Sequence, residues 1–504
     1  MVTQSSSFYS ALSDVVNVQE QGAIGDGVTD DTAAIQAAID TAADDEGTVY
    51  FPPGDYLIKS PGLNVGYPRL SVRCAPGATF ILGYDGLGMY CDTVIDRLTL
   101  DDVVFTTAGY GANDTGVIQM NKVTNLVMRN CKVLATTFVL AGVKKPDGIA
   151  FSQGTSGIVI GCEVSGIPKA GIYASTGTDG LRFVNCEARN TVGWTEGGSQ
   201  YGTGFSVGAC EHITMSGCIA KSVYGYGFFI GQVGTGANSC ARHVTLDGCE
   251  AYDNTLGFFI AGANDTAYRP RFITLSGCIG TENSYGLSIE GGQDINVTGS
   301  IFSRNGVYGS LIQNVFATTP VLAAVQRVSV SDCQFVDNAI AITAQVGGLG
   351  IKACDKVSVR DCIFENTIGL GSGCYQTYGV DLISNTGVRN TNLVLENLRK
   401  GTNITATVLS DSTAHGWVGN DGDSTGTPGN ATIDGQRGKS AVAIGATACV
   451  VTNAAVGANS QVIITPLDND ATLVTYKVAV AAGSFTVTGN AAATAAWKFQ
   501  WTVI

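Results

Sequence analysis

Charge is scarce in this chain. Asp, Glu, Lys and Arg make up 14% of its 504 residues, too little for long surface helices of the Glu/Lys type. Acidic residues outnumber basic ones, 42 to 28, and the formal charge of -14 opposes binding to nucleic acid or to an anionic membrane. No run approaches the roughly 18 apolar residues of a spanning helix, so neither a nucleic-acid partner nor membrane insertion is expected. Met1 to Val16 (MVTQSSSFYSALSDVV) has neither a basic start nor an apolar h-region and does not read as a secretory leader. Proline is rare, at 11, whereas glycine reaches 66 and hydrophobic residues 45%. That balance excludes a disordered chain and implies an ordered, turn-rich, largely β protein. Its length exceeds what one ordinary core supports and calls for several domains or a repeat.

The 15 cysteines are an odd number in a large chain and include no CxxC pair, which argues against a disulfide framework or a metal array. Their spacing instead marks a repeat. Cys131, Cys162, Cys186, Cys218, Cys249, Cys278, Cys333 and Cys362 each close a short phrase such as LVMRNC, ITMSGC or VTLDGC, and Ser300 fills the one gap. The period averages about 29 residues, as in a solenoid. These cysteines read as small apolar residues stacked inside it.

Each phrase has a physical reading. Apolar residues five and three before the cysteine (Ile213 and Met215, Val244 and Leu246) alternate with polar ones as a first strand. Gly, Asn or Asp just before the cysteine makes a bend, and an apolar residue two after it makes a short second strand. Asn190, Asn254, Asn283, Asn305, Asn338 and Asn366 follow, suited to a sharp corner and to stacking amide on amide. A third strand begins at glycine, as in GIAFS, GFFIG and GLSIE. Three strands per turn describe a parallel β-helix of about ten to twelve rungs. His212 and His243, each six before its cysteine, share their place with Arg327 and Lys356 and read as a polar corner, not a ligand pair.

Residues 22 to 58, GAIGDGVTDDTAAIQAAIDTAADDEGTVYFPPGDYLI, resemble the opening motif of the pectate lyase superfamily of right-handed β-helix proteins, which includes phage tailspikes and secreted polysaccharide lyases. Thr29, Asp30 and Asp31 read as helix caps, and Ala33, Ile35, Ala38 and Ile39 as the apolar face that plugs the open end. The stretch after Ala441 returns to alternating strands and resembles the C-terminal β domains of tailspikes and tail fibres, which join three chains. The expected fold is therefore all-β: a right-handed parallel β-helix, a single-stranded solenoid, with a short N-terminal capping helix and a small C-terminal β-sandwich-like domain. Residues 1–17 form an N-terminal arm, 18–58 the capping helix and first rung, 59–410 the β-helix, 411–440 a connector rich in Gly, Ser, Thr and Asp, and 441–504 the β domain.

The resemblance implies a tailspike depolymerase, a homotrimer that binds and cleaves a bacterial surface polysaccharide. It would belong to the virion as part of the phage tail, joined through its N-terminus to a tail or baseplate protein. Alternatives are a polysaccharide lyase, a secreted protein, and a non-catalytic receptor-binding spike. The DPHE signature of mannuronan epimerases is absent at GYGFFIGQ, which counts against epimerisation. No cofactor is expected and no metal motif is evident.

A rod binds a chain at the outward positions of its third strand and in the loops that follow. Alternation turns Phe229 and Phe259 outward, and the loops add Gln232, Asp265, Arg269 and Arg271. The insertion from Asn190 to Gly204 adds Trp194, Glu196 and Tyr201. Glycoside hydrolysis needs two carboxyl groups across the scissile bond. Glu290, Asp265 and Asp294 leave neighbouring rungs and are the expected catalytic set. Elimination would need a base and a cation beside a uronate, for which Arg269, Arg271, Lys144, Lys145 and Lys169 are available.

Overall fold

The alternating phrases form short strands stacked in parallel, three to a turn. The computed structural model describes residues 15–84, 86–108, 116–137, 146–193, 195–196, 199–200, 202–232, 239–262, 269–314, 325–342, 346–369, 373–383, 390–410, 417–419, 431–432, 437–453 and 456–503. It divides into two compact units, residues 1–288 and 289–504.

In the first unit, ten strands of the first sheet follow one another from Val15–Asn17 to Arg271–Ser276. Rungs precede the cysteine column: Val103 holds its place before Cys131 and is equally buried. The register is strict, with Ile213, Val244 and Ile273 aligned in the first sheet and Ala188, Ala220 and Ala251 in the second. Asn130, Gly161, Asn185, Gly217, Gly248 and Gly277, each just before its cysteine, have φ between 51° and 60°. The bend thus needs the left-handed backbone that Gly and Asn adopt most readily. A β-carbon on the third-strand glycines would collide with the second strand: at Gly148 it would lie 2.4 Å from Val164, and at Gly171 2.9 Å from Ala188. Glycine is required there for close packing.

The asparagine column holds two rungs together directly. Asn283 Oδ1 accepts from Asn254 Nδ2 at 2.9 Å and from the Asn254 backbone N–H at 3.0 Å. Asn190 lies outside it. With φ of 53° it is the corner residue, and Thr191, one position later, is buried with its hydroxyl donating to the Gly202 carbonyl.

The helix Thr32–Asp44 buries Ile35, Ala38, Ile39 and Ala42. Ala33, expected on that face, is exposed, because a stripe at helical spacing continues to Ala42. Asp30 accepts from the Thr32 N–H at 3.1 Å and its hydroxyl at 2.7 Å. Asp31 occupies the cap position, but its carboxylate accepts from the N–H groups of Ile24 and Gly25 and ties that loop to the start of the helix. Thr29 bonds Asp26 instead.

The second unit repeats the plan with first-sheet strands Gly292–Thr298, Val325–Ser331, Asp355–Arg360, Leu393–Glu396 and Trp417–Gly419. The last falls within the expected connector. Asn305 donates to Asn338, which donates to Gln376 at 2.8 Å. Gln376 continues the column where Asn366 is expected, and Asn366 bonds the Gln376 carbonyl from one side. The C-terminal domain has a four-stranded and a three-stranded sheet. Its core includes Val442, Val451, Phe485, Val487, Phe499 and Trp501, and Gly438 leaves space for the Trp501 ring, which its β-carbon would meet at 2.3 Å.

All 15 cysteines are buried and free. Burial pushes the Cys210 and Cys354 thiols up to about 12 and Cys449 to about 11, so thiolate is scarce at these three at neutral pH, and burial keeps the others from reagents. Thiol titration of the native protein is expected to find almost no reactive groups, and titration after denaturation to find them all. A low count after denaturation without reductant would reveal disulfides.

Candidate functional site

Outward positions of the third sheet carry the chemistry. In the first unit, register aligns Tyr90, Gln119, Ala150, Tyr173, Ser206, Phe229 and Phe259 in one column. One residue on, Met120, Phe151, Ala174, Val207, Ile230 and Ile260 are buried, so the column faces out. Phe229 and Phe259 stand side by side, ring centroids 5.8 Å apart. Tyr226 joins them, 4.6 Å from Phe259 and 5.8 Å from Phe229. Phe259 keeps only 8% exposure, so the aromatic column is a packed cluster whose accessible part is Tyr226 and Phe229.

A charged cluster occupies earlier rungs. Asp147, 2% exposed, accepts from the Ala170 N–H at 3.1 Å and lies 3.3 Å from Lys169 Nζ. That ammonium sits 5.7 Å from the centroid of the Tyr173 ring. Burial raises the Tyr173 phenol above its ordinary value.

The other expected first-unit residues are dispersed. Gln232 is half-buried and its backbone bridges Cys240. Arg269 is buried, and Arg271 opens a first-sheet strand in register with Arg242. The backbone of Glu196 lies in a hairpin, paired with Ser199. Trp194, Tyr201 and Asp265, like Lys144 and Lys145, lie outside the described residues.

In the second unit, Glu290 is half-buried and its Oε1 accepts from Gln313 Nε2 at 2.8 Å. Gln313 is in register with Lys352. Asp294 has φ of 58° and its carboxylate takes a two-pronged bond from Arg327, with Nη2 at 2.8 Å. It therefore occupies the left-handed corner at the start of a first-sheet strand, as do Arg327 and Lys356 in their rungs. In the first unit the same corner holds His212, His243 and Phe272, whose rings stack at 5.0 and 4.7 Å. The two imidazoles are parallel neighbours and do not converge on a point. Among the described residues no group of three His, Cys, Asp or Glu is arranged to hold a metal. Two further side chains of this unit meet on the third sheet: the Tyr308 hydroxyl donates to Asp381 Oδ2 at 2.8 Å.

Asp147, Tyr226 and Tyr308 are absent from the expected site. Each precedes the glycine at the start of its third strand, a fixed place in the repeat and the signal by which they can be found.

A family model described as the right-handed β-helix region matches residues 83–240 and 233–421. The chain belongs to the right-handed β-helix family. A second model, described as rhamnogalacturonase A/epimerase, pectate lyase-like, matches residues 15–66. Mannuronan C5-epimerase AlgE3 of Azotobacter vinelandii is 40% identical over 96 residues, 19% of this chain and 5% of that protein. AlgE6 of the same organism is 60% identical over 47 residues, 9% of this chain and 5% of that protein. The chain thus spans only a small part of the curated relatives it matches. Among solved structures of this fold, the AlgE6 A-module has a TM-score of 0.56 at 18% identity, covering 80% of this chain and 98% of that one. The tailspike of E. coli bacteriophage HK620, in complex with a pentasaccharide, has a TM-score of 0.56 at 12% identity, covering 98% and 94%.

The geometry of this β-helix makes Asp147 depend on Lys169. Replacing Lys169 by Met removes an ion-pair partner of the buried Asp147 carboxylate; breaking a fully buried pair costs about 3 to 5 kcal/mol of stability, and the 27% exposure of the Lys169 side chain lowers that loss. Adding Asp147→Asn should recover much of it. Denaturation of the single and double variants checks the coupling, and additive losses would show that the two groups act independently.

Proposed function

We propose that this protein is a phage tailspike depolymerase that binds and cleaves a bacterial capsular, exopolysaccharide or O-antigen chain. The observation that carries the reading is the character of the third sheet's outward groups. In the first unit they include rings (Tyr173, Tyr226, Phe229) and an amide (Gln119), and in the second an amide (Gln313) and the half-buried Glu290. Sugar rings pack on aromatic faces while their hydroxyls bond amides and carboxylates. The fold alone does not select a function; the pentasaccharide in complex with the HK620 tailspike and the mannuronan for which the epimerases are named lend support. Trp194, Glu196, Tyr201, Phe229 and Gln232 are the proposed sugar contacts; burial withdraws Phe259 and Arg269, and Arg271 opens a strand of the first sheet.

Hydrolysis assigns Glu290 as an acid or base. Asp265 is proposed as its partner from its place in the chain, and Asp294 is the alternative, already engaged by Arg327. A second reading is elimination, favoured by one observation: Lys169 lies beside Tyr173, a cation for a uronate carboxylate next to a phenol able to give a proton to the leaving oxygen. The Glu290→Gln variant is expected to keep binding and to lose about 100- to 10,000-fold in turnover. Reducing-end release reads hydrolysis, and ultraviolet absorbance of an unsaturated product reads elimination. Unchanged turnover would remove Glu290 from the mechanism. Binding by the wild type without product would favour a receptor-binding spike.

We further propose that residues 441–504 join three copies of the chain, that the N-terminal arm meets a tail or baseplate protein, and that the protein resides in the virion. The C-terminal domain supports this by exposing Ile444, Ile463 and Val474 around a small core; contact between copies would cover such residues. Light scattering is expected to give a trimer for the whole chain and a smaller species after deletion of 441–504. A monomeric whole chain would refute the assignment.

A further inference from the structure

We infer that Lys352 is a specificity residue whose ammonium holds a carboxylate carried on a sugar of the bound polysaccharide, which makes the substrate an acidic chain. The inference rests on the third sheet of the second unit binding polysaccharide as proposed above.

The strands Tyr308–Gln313 and Val346–Lys352 are neighbours in that sheet, and register sets Gln313 beside Lys352. Ile312 and Ile351, one residue earlier on each strand, are fully buried, so Gln313 and Lys352 face out. Gln313 in turn is tied to Glu290, whose Oε1 accepts from Nε2 at 2.8 Å. A carboxyl group, an amide and an ammonium thus belong to one outward patch, and all three residues are half-buried. The next residue in register after Lys352 is Ile383, where the polar row ends.

Lys352 differs from other cations of this unit. Arg327, Lys356 and Arg360 each lie beside a carboxylate. Among the described residues the Lys352 ammonium has neither an ion-pair nor a hydrogen-bond partner, although the chain carries 42 acidic residues against 28 basic ones. A half-buried ammonium without an anion gives up part of its hydration for no return, and a ligand anion would supply the return. The Gln313 side-chain carbonyl likewise has no donor among the described residues. A positive charge beside an open acceptor complements a sugar that bears a carboxylate and a hydroxyl. The formal charge of -14 opposes anionic chains at long range, so a cation placed to receive one acts as a selector.

Gln313 reaches Glu290, and the strand of Lys352 lies roughly 5 Å beyond that of Gln313. The amide therefore separates the ammonium from Glu290. Lys352 serves a sugar adjoining the one on which Glu290 acts, and it contributes to binding and not to bond breaking, whether the bond is lost by hydrolysis or by elimination.

The test uses the full chain with purified polysaccharides of known structure: mannuronan, polygalacturonate, and capsular and O-antigen chains with and without carboxylates. The polysaccharide it binds is expected to carry a carboxylate, and reducing that group to the alcohol should weaken binding by about 10- to 100-fold. Lys352→Met should lose as much on the native polysaccharide, through KM with little change in kcat, and lose nothing further on the reduced one. Lys352→Arg should keep most of the affinity. A merely structural lysine would cost the same on both substrates. Carboxyl reduction is read with the wild type, so the result decides even if Lys352→Met fails to fold. Undiminished binding of a neutral, phosphate-only or carboxyl-reduced polysaccharide, or equal losses by Lys352→Met on native and reduced chains, overturns the inference. Cleavage of that polysaccharide by the wild type would still leave the depolymerase reading intact. Binding of an acidic chain through Lys352 without cleavage upholds the inference and overturns the depolymerase reading.

Discussion

A rung closes only if the backbone turns sharply at fixed places, and those turns need left-handed residues. The residue before each cysteine of the repeat column meets this need with Gly, Asn or Asp, as at Gly217, Asn185 and Asp332. These residue types visit that region at the least cost. Once the corners are fixed, identical positions fall above one another and every side chain inherits a neighbour from the rung below. The buried cysteines, the hydrogen bond from the Asn254 amide to that of Asn283 and the glycines that open the third strands are consequences of that registration. Each would lose its partner if one rung slipped by a residue.

The corner at the start of the first strand is less selective and therefore more informative. It accepts His212 and His243, but also Phe272, an aromatic residue with φ of 58° and 49% exposure. A bulky side chain in that conformation is an outlier. Stacking of the Phe272 ring on His243 at 4.7 Å offsets part of the cost. Asp294 and Arg327 solve the same problem with an ion pair between neighbouring corners of the second unit. Stacked rings and an ion pair are two ways of satisfying one geometric demand: side chains held a single strand spacing apart.

The repeat is legible in the sequence because its physical requirements recur. The cysteine, the residue before it and the third-strand glycine are each restricted in size or conformation, so they leave a periodic trace. Asn190 and Ala33 fall outside the places expected of them because neither restriction is absolute: Asn also serves as a corner, and Ala serves buried and exposed faces alike. The site is less legible. Alternation turns Phe229 and Phe259 outward correctly, but it cannot tell an open ring from one packed under Tyr226. Asp147, Tyr226 and Tyr308 escape because the glycine reads as the start of the strand, whereas the residue before it already faces the outer surface.

Outward positions of a solenoid are ordinarily solvated, and a polar residue there needs no partner. Asp147 and Asp381 depart from that expectation in different units and with different partners, an ammonium in one case and a phenol in the other. A carboxylate withdrawn from water on an outer face is costly unless something fixes it. The repeat does not require it, since alanine, threonine and leucine fill equivalent positions at Ala170, Thr203 and Leu311. Packing alone therefore gives no reason for acids at these two places. A buried carboxylate held by directed partners keeps a defined orientation, and a rigid stack of strands holds that orientation more closely than a loop can. The fold supplies the rigidity in every rung.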